Sequence, residues 1–327
     1  MRGEEVPSEI LRNTIRTYGD LHKKFDNLLD GKTNSSILVL ARPGVGKSHY
    51  LKLNANPEVT LFLEGNLRPY MTYVELHENP HKLIILDDAE TLWQEKPGRI
   101  LVRQITETAH TKTIRWISSA NPKFDVPCSF QTNSKVLIIC NRFRFGDTDE
   151  TKAILDRCLC NYFDPSNEEV ARYVANWFWD QEVLDYAMKN LLEIDRLSAR
   201  MFVKASERRE HQDSGWENEF PRLSMLDSIV REIYLDTRFE RSEERIVEFR
   251  RRSAEIPDRD GEPMSRATYM RHQADLKARG QLELQSPLKG LKAIGKRTKP
   301  LLGVEAIKAD IERAARERDS NNGDTQK

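Results

Sequence analysis

Hydrophobic positions along this chain change their period twice. Residues 8–30 place Ile10, Leu11, Ile15, Leu21, Phe25, Leu28 and Leu29 at roughly helical spacing, and Gly31 ends the segment. Short, nearly unbroken apolar runs follow at 37–40, 59–63, 83–86, 114–117 and 136–140. Continuous apolarity is the pattern of strands covered on both faces, which predicts a parallel α/β sheet. Helix-like stretches at 47–54, 67–78 and 99–109 lie between the runs. The segment Asp164-Pro165-Ser166-Asn167 reads as a break, with Ser166 or Asn167 capping the next helix.

From 167 to 211 the pattern is helical throughout. Val170, Val174, Trp177 and Phe178 fit one face, Val183, Leu184, Ala187, Leu191 and Leu192 a second, and Leu197, Met201, Phe202 and Ala205 a third. The aromatic run Trp177-Phe178-Trp179 reads as helix core rather than a ligand box. Charged residues at 206–219 predict a linker, 220–282 is helical again, and 283–327 is a polar tail. The expected division is therefore an α/β core over 1–164, a helical unit over 165–211, a second helical domain over 220–282 and a basic tail over 283–327.

Composition narrows the function classes. Hydrophobic residues make up 38% and charged residues 32%, and the 52 Lys and Arg balance the 52 Asp and Glu. A neutral chain excludes a uniformly basic nucleic-acid coat, though not a local patch. No run approaches the roughly 18 apolar residues of a membrane span, and Met1-Arg2-Gly3-Glu4-Glu5 lacks a signal-peptide core, so a cytoplasmic protein is expected. The four cysteines are too scattered for a disulfide framework, and Pro80 interrupts any helix that would align His77 with His81.

Candidate chemistry begins at Ala41-Arg42-Pro43-Gly44-Val45-Gly46-Lys47-Ser48, a P-loop pattern with Ala41 in the first, small position. It follows the apolar run 37–40 and precedes a predicted helix, so backbone N–H groups and a helix N-terminus face the same anion. Gly44 and Gly46 allow close backbone approach, Lys47 reaches the β- and γ-phosphates of ATP, and the Ser48 hydroxyl ligates Mg²⁺. Leu83-Ile84-Ile85-Leu86-Asp87-Asp88 is the matching Walker B pattern. Asp87 is expected in the Mg²⁺ shell opposite Ser48, and Asp88 beside the attacking water.

The order of these motifs resembles the AAA+ superfamily of P-loop ATPases over roughly residues 10–210. By that resemblance, Lys135-Val136-Leu137-Ile138-Ile139-Cys140-Asn141 looks like the fourth core strand ending in the sensor-1 residue, Asn141. Ala153-Ile154-Leu155-Asp156-Arg157 is similar to the helix end that carries an arginine finger, which implies that Arg157 reaches a neighbouring subunit's ATP. Leu197-Ser198-Ala199-Arg200 looks like sensor 2, with Arg200 against the γ-phosphate of its own chain, and 165–211 becomes the lid. Asn121 also follows an apolar run, and Arg196 lies one helical turn before Arg200. The chain departs from the usual pattern at Asp88, where Glu is common; some replication-initiator relatives resemble the Asp-Asp form, and Glu90 is a second candidate base. Only 40 residues separate Lys47 from Asp87, which marks a compact version.

Further on, Pro263-Met264-Ser265-Arg266-Ala267-Thr268-Tyr269-Met270-Arg271-His272 resembles the recognition helix of helix-turn-helix and winged-helix proteins. Ser265 caps it, Ala267, Met270 and Ala274 are expected inward, and Arg266, Thr268, Tyr269, Arg271 and His272 are expected to face DNA. Ile246, Val247 and Phe249 are expected to pack in the helix before it. Residues 264–300 hold nine Lys and Arg against two acids, an electrostatic footprint for phosphate backbones. Together these features imply an ATPase that forms a homo-oligomeric ring or filament on DNA, as a replication initiator, helicase loader or transposition regulator. The alternative is a slowly hydrolysing nucleotide switch, or a remodelling ATPase, whose C-terminal domain binds a protein partner.

Overall fold

Strand β2 (Ser36–Ala41) is buried at all six positions, as its unbroken apolar run requires. It lies inside a six-stranded sheet described by a computed structural model, which covers residues 6–33, 35–116, 126–142, 148–256 and 262–282. In chain order the core contains α1 (Ser8–Leu11), β1 (Thr14–Ile15), α2 (Tyr18–Leu29), β2, α3 (Lys47–Asn54), β3 (Thr60–Glu64), α4 (Pro69–Glu78) and β4 (Leu83–Asp87). It continues through α5 (Glu90–Gln94), α6 (Lys96–Ile105), β5 (Lys112–Arg115), β6 (Ser129–Thr132), β7 (Val136–Cys140), α7 (Asp149–Arg157) and β8 (Cys158–Phe163). The sheet order is β1-β8-β2-β7-β4-β3, and every pairing in it is parallel.

Strand periodicity divides the core between two faces. Ile37, Val39, Ile85, Leu137 and Ile139 pack with Leu21, Phe25, Leu28 and Leu51 from α2 and α3. Leu38, Leu40, Ile84, Leu86, Val136 and Ile138 pack with Tyr73, Trp93, Leu101, Val102 and Ile154 on the other side. Register then decides what meets at the sheet's C-terminal edge. Leu40 pairs with Cys140 and Asp87 with Ile139, so the residues that follow (the 41–48 loop, Asn141 and Asp88) emerge side by side.

Three expectations change here. The run at 114–117 is not a core strand: β5 pairs antiparallel with β6 in a separate two-stranded ribbon. Its burial alternates along Lys112–Arg115, the mark of a strand covered on one face only; residue 117 lies outside the described residues. The sixth strand of the main sheet is instead β8, whose buried Asn161 breaks the apolar run and hides it from a hydrophobicity reading. The 8–30 segment is two helices separated by β1, because Thr14 and Ile15 pair with Tyr162 and Phe163.

Beyond Asp164 the chain forms α8 (Asn167–Ala175), α9 (Gln181–Lys189) and α10 (Ala199–Glu210). Ser166 caps α8, accepting from the Glu169 N–H at 3.2 Å. The stretch expected as a linker contributes to this unit, since Trp216 and Phe220 are buried against Tyr186 and Phe202. The last described unit is α11 (Met225–Leu235), α12 (Ser242–Ala254) and α13 (Arg266–Ala278), packed around Val230, Ile233, Phe249, Tyr269 and Leu276. No helix among the described residues is long and apolar enough to cross a membrane.

Helix α13 is rotated relative to the sequence expectation. Tyr269, expected to face DNA, is fully buried with its ring 5.1 Å from that of Phe249, whereas Ala267, Met270 and Ala274 are exposed. His272 is half-buried, with Nδ1 2.6 Å from Asp227 Oδ1. The physical reason is area: Tyr269 and Leu276 together remove more apolar surface from water than two alanines and a methionine would. Arg266 and Arg271 remain exposed, Thr268 is half-buried with its N–H on the Ser265 cap, and Val247 is 69% exposed. The turn at 257–261 and the basic residues beyond 282 lie outside the described residues. Tyr269→Ala is expected to destabilise this three-helix unit by about 3–5 kcal/mol, and Arg271→Ala by no more than about 0.5 kcal/mol. Denaturant titration followed by helical circular dichroism checks this, and equal effects of the two changes would contradict the packing.

Candidate phosphate-binding site

The loop at 41–48 joins the end of β2 to the start of α3. Gly44 and Gly46 sit at φ 78° and 80°, a region that glycine alone enters without cost, and Gly46 is the N-cap of α3. No side chain caps α3. Its first N–H groups therefore open toward the loop, where a phosphate oxygen would satisfy them.

Lys47 is 5% exposed. Its ammonium donates to Ala41 O at 3.0 Å, Arg42 O at 3.1 Å and Asn141 Oδ1 at 2.8 Å. Burial lowers its pKa to about 8, opposed by the carboxylates of Asp88 and Asp87 and reinforced by Arg200. A buried cation with oxygen partners on three sides is poised for an anion, which would supply the missing counter-charge.

Asp87 ends β4 at 5% exposure and accepts a hydrogen bond from Ser48, yet its buried Oδ1 has no partner among the described residues. Burial raises its pKa and Asp88 adds to the rise, while Ser48 and Lys47 oppose it. One carboxylate and one hydroxyl, with a buried oxygen left over, suit Mg²⁺, which takes few protein ligands and completes its shell with water and phosphate. Asp88 is exposed and adopts φ 50°, in the left-handed region that Asp tolerates better than most residues. Its Oδ1 accepts from Asn141 Nδ2, and its N–H donates to Ile139 O at 3.2 Å. A single amide thus links Lys47 through its oxygen to Asp88 through its nitrogen.

The helical unit closes over this loop. Ala199 N–H donates to Gly44 O at 2.8 Å, and a Cβ on Gly44 would lie 3.1 Å from Ser198 Cβ and 3.6 Å from Arg200 Cδ. Arg200 therefore lies on the loop of its own chain. From α8, Tyr173 stacks on Tyr18 with centroids 4.0 Å apart and planes 7° apart. The Tyr18 hydroxyl donates to Val45 O at 2.7 Å, and burial with Tyr173 alongside pushes its pKa far above the usual value, which keeps it a donor. Arg42 reaches the other way, with Nη1 donating to Leu197 O at 2.7 Å and Nη2 to Pro165 O at 3.2 Å.

Of the residues expected in the site, Ala41 to Ser48, Asp87, Asp88, Asn141 and Arg200 converge. Arg157 does not. It precedes β8, whose Cys158 pairs with Ser36 at the start of β2, while Phe163 pairs with Ala41 at the loop. Five strand steps of about 3.3 Å put roughly 17 Å of sheet between Arg157 and the loop of the same chain. Arg196, the alternative to Arg200, is engaged with Asp164 at 3.5 Å and Asp275 at 3.4 Å. Asn121 lies outside the described residues. Sequence reasoning missed Tyr18 and Tyr173, which stand 155 positions apart and show no local pattern. It also assigned no contact with the helical unit to Arg42, whose two carbonyl partners at Leu197 and Pro165 are distant in sequence.

No family model and no curated protein matches this chain. Among solved structures it is similar to the RuvB Holliday junction branch migration motor of Thermotoga maritima, at 10% identity and TM-score 0.36, over 67% of this chain and 76% of that one. It is also similar to NtrX from Brucella abortus, at 13% identity and TM-score 0.39, over 84% of this chain and 69% of that one. The same values hold for NtrX in complex with ATP. Likenesses this distant add nothing to the assignment, which rests on the site itself.

The clearance at Gly46 is directly testable. A Cβ there would stand 2.7 Å from Tyr173 Cε1, at a φ that L-residues disfavour. Gly46→Ala is expected to lower the unfolding free energy by about 1–3 kcal/mol in denaturant titration. Stability unchanged within about 0.5 kcal/mol would show that Tyr173 does not press on the loop.

Proposed function

We propose that this chain binds ATP with Mg²⁺ at residues 41–48, hydrolyses it, and acts as a homo-oligomer on DNA. One observation carries the nucleotide half: Lys47, Ser48 with Asp87, Asp88 with Asn141, and Arg200 converge on one glycine-cradled helix N-terminus. In this reading Lys47 lies against the β- and γ-phosphates, and Ser48 and Asp87 hold the metal. ATP·Mg²⁺ supplies the transferable phosphoryl group and the divalent charge that its transfer needs. The chain's own residues position and polarise. Asp88 takes the proton of the attacking water, Asn141 fixes that carboxylate by its amide N–H, and Arg200 places a cation on the γ-phosphate side. With one methylene fewer than Glu, Asp88 reaches less far, and slow turnover follows.

Arg157 supports the oligomer reading: it lies too far from its own loop to serve it, and in this reading it acts on a neighbour's nucleotide. The DNA half rests on the exposed Arg266 and Arg271 of α13 together with the basic residues that follow in sequence. Tyr269 is withdrawn from that face by its burial, and His272 by its pairing with Asp227. The second reading, a nucleotide-dependent switch that binds a protein, is favoured by Val247, Met225 and Met270, at 69%, 57% and 43% exposure on the same three-helix unit.

ATP hydrolysis measured with and without double-stranded DNA, at low and moderate salt, separates the two. Stimulation by DNA that fades with salt is the expected outcome. Turnover indifferent to DNA at both salt concentrations would retain the ATPase and turn the C-terminal unit toward a protein.

A further inference from the structure

Between the ends of α6 and α7 and the β5–β6 ribbon, away from the phosphate loop, lies a polar pocket of about 350 Å³ whose lining includes Arg103, Glu107, Lys112 and Arg157. Three of these residues are cations and Glu107 is the one acid. The floor is fixed: Lys112 is 5% exposed, and its ammonium donates to Ile105 O and Ser134 O, both at 2.7 Å. Those carbonyls close the C-terminus of α6 and the approach to β7, so Lys112 is committed to structure. Arg157 is held differently. Its Nη1 donates to Arg103 O at 2.7 Å and its Nη2 pairs with Glu107 at 3.1 Å, with side-chain exposures of 26% and 42%.

We propose that Glu107 is a positioning residue that keeps Arg157 folded against its own chain until a second copy docks at this pocket. The proposal rests on the reading of Arg157 as acting on a neighbour's nucleotide. A guanidinium neutralised by a carboxylate offers little to a phosphate; released from Glu107, it carries its full charge to the neighbour, while Glu107 stays beside Arg103 and Lys112. The latch is weak by construction, because an ion pair this open to solvent is screened and contributes little. A phosphate brought into a closed interface offers the same guanidinium two charge-assisted bonds in drier surroundings. Docking therefore exchanges a weak partner for a strong one, and the isolated chain stays idle. Glu107 lies two residues past the end of α6, outside its helical hydrogen bonds, and Lys112 keeps its two carbonyl partners whether or not Arg157 is released.

The test is ATP turnover as a function of protein concentration for the full chain, Glu107→Gln, Arg157→Ala and the double variant, with ATP binding measured alongside. Glu107→Gln is expected to raise turnover about threefold at low protein concentration and to lower the half-maximal concentration by a similar factor. The plateau and the ATP affinity are expected to stay unchanged. Arg157→Ala is expected to bind ATP and to be inactive with either residue at 107. A Glu107→Gln curve that superimposes on wild type, or falls below it, while Arg157→Ala is inactive overturns the latch and leaves trans action standing. Wild-type turnover in Arg157→Ala removes trans action, and the latch with it. A Glu107→Gln gain that persists when Arg157 is Ala also overturns the latch, since the effect then bypasses Arg157.

Discussion

Burial of one ammonium group organises this molecule. Lys47 has almost no contact with water, and a charge so placed is tolerable only with oxygen partners around it. Two partners are carbonyls of its own loop, which bend that loop around Nζ. The third is the amide oxygen of Asn141, which ties the loop to the end of β7. With its oxygen so engaged, the Asn141 amide presents its nitrogen to Asp88, and the position of that carboxylate follows from the position of the lysine. Burial holds the pKa of this ammonium down near 8, and an added polyanion would offset that cost of desolvation.

Around that centre the contacts radiate outward through Asp164, where β8 gives way to the helical unit. Arg42 leaves the loop to hold the carbonyls of Pro165 and Leu197, at the two ends of the segment that includes α8 and α9. Asp164 pairs with Arg16 at 3.0 Å and Arg196 at 3.5 Å, and Arg196 continues to Asp275 on α13. Arg279 adds pairs with Asp195 and Asp275, and the Gln281 amide donates to Ile194 O at 2.6 Å. The C-terminal unit is thus fastened to the helical unit that covers the phosphate loop. These pairs are partly exposed and individually weak; their effect is geometric, fixing where α13 sits relative to the loop.

Much of the core was legible because its signals are local. An apolar run ending in Gly and Lys, and another ending in two aspartates, each place chemistry at a strand end without knowledge of the rest of the chain. Asn141 and Arg200 were legible from spacing through family resemblance, and both lie at the loop. Legibility failed where contacts are long-range. Strand β8 was hidden by Asn161, and β5 looked like a core strand although only alternate residues are buried. The Tyr18–Tyr173 stack and the Arg42 anchors have no sequence signature. In α13 the inward face was misread because Ala267, Met270 and Ala274 satisfy helical spacing as well as Tyr269 and Leu276 do, and only packing against Phe249 distinguishes them.

The central claim is that the 41–48 loop is a nucleotide site built around a buried lysine. Equilibrium binding of ATP to the full chain and to Lys47→Ala, with and without Mg²⁺, tests it most directly. The account predicts saturable binding strengthened by Mg²⁺ in the wild type, and loss of at least tenfold in affinity when the ammonium is removed. Binding that is equal in the two proteins, or absent from the wild type with Mg²⁺ present, would contradict it.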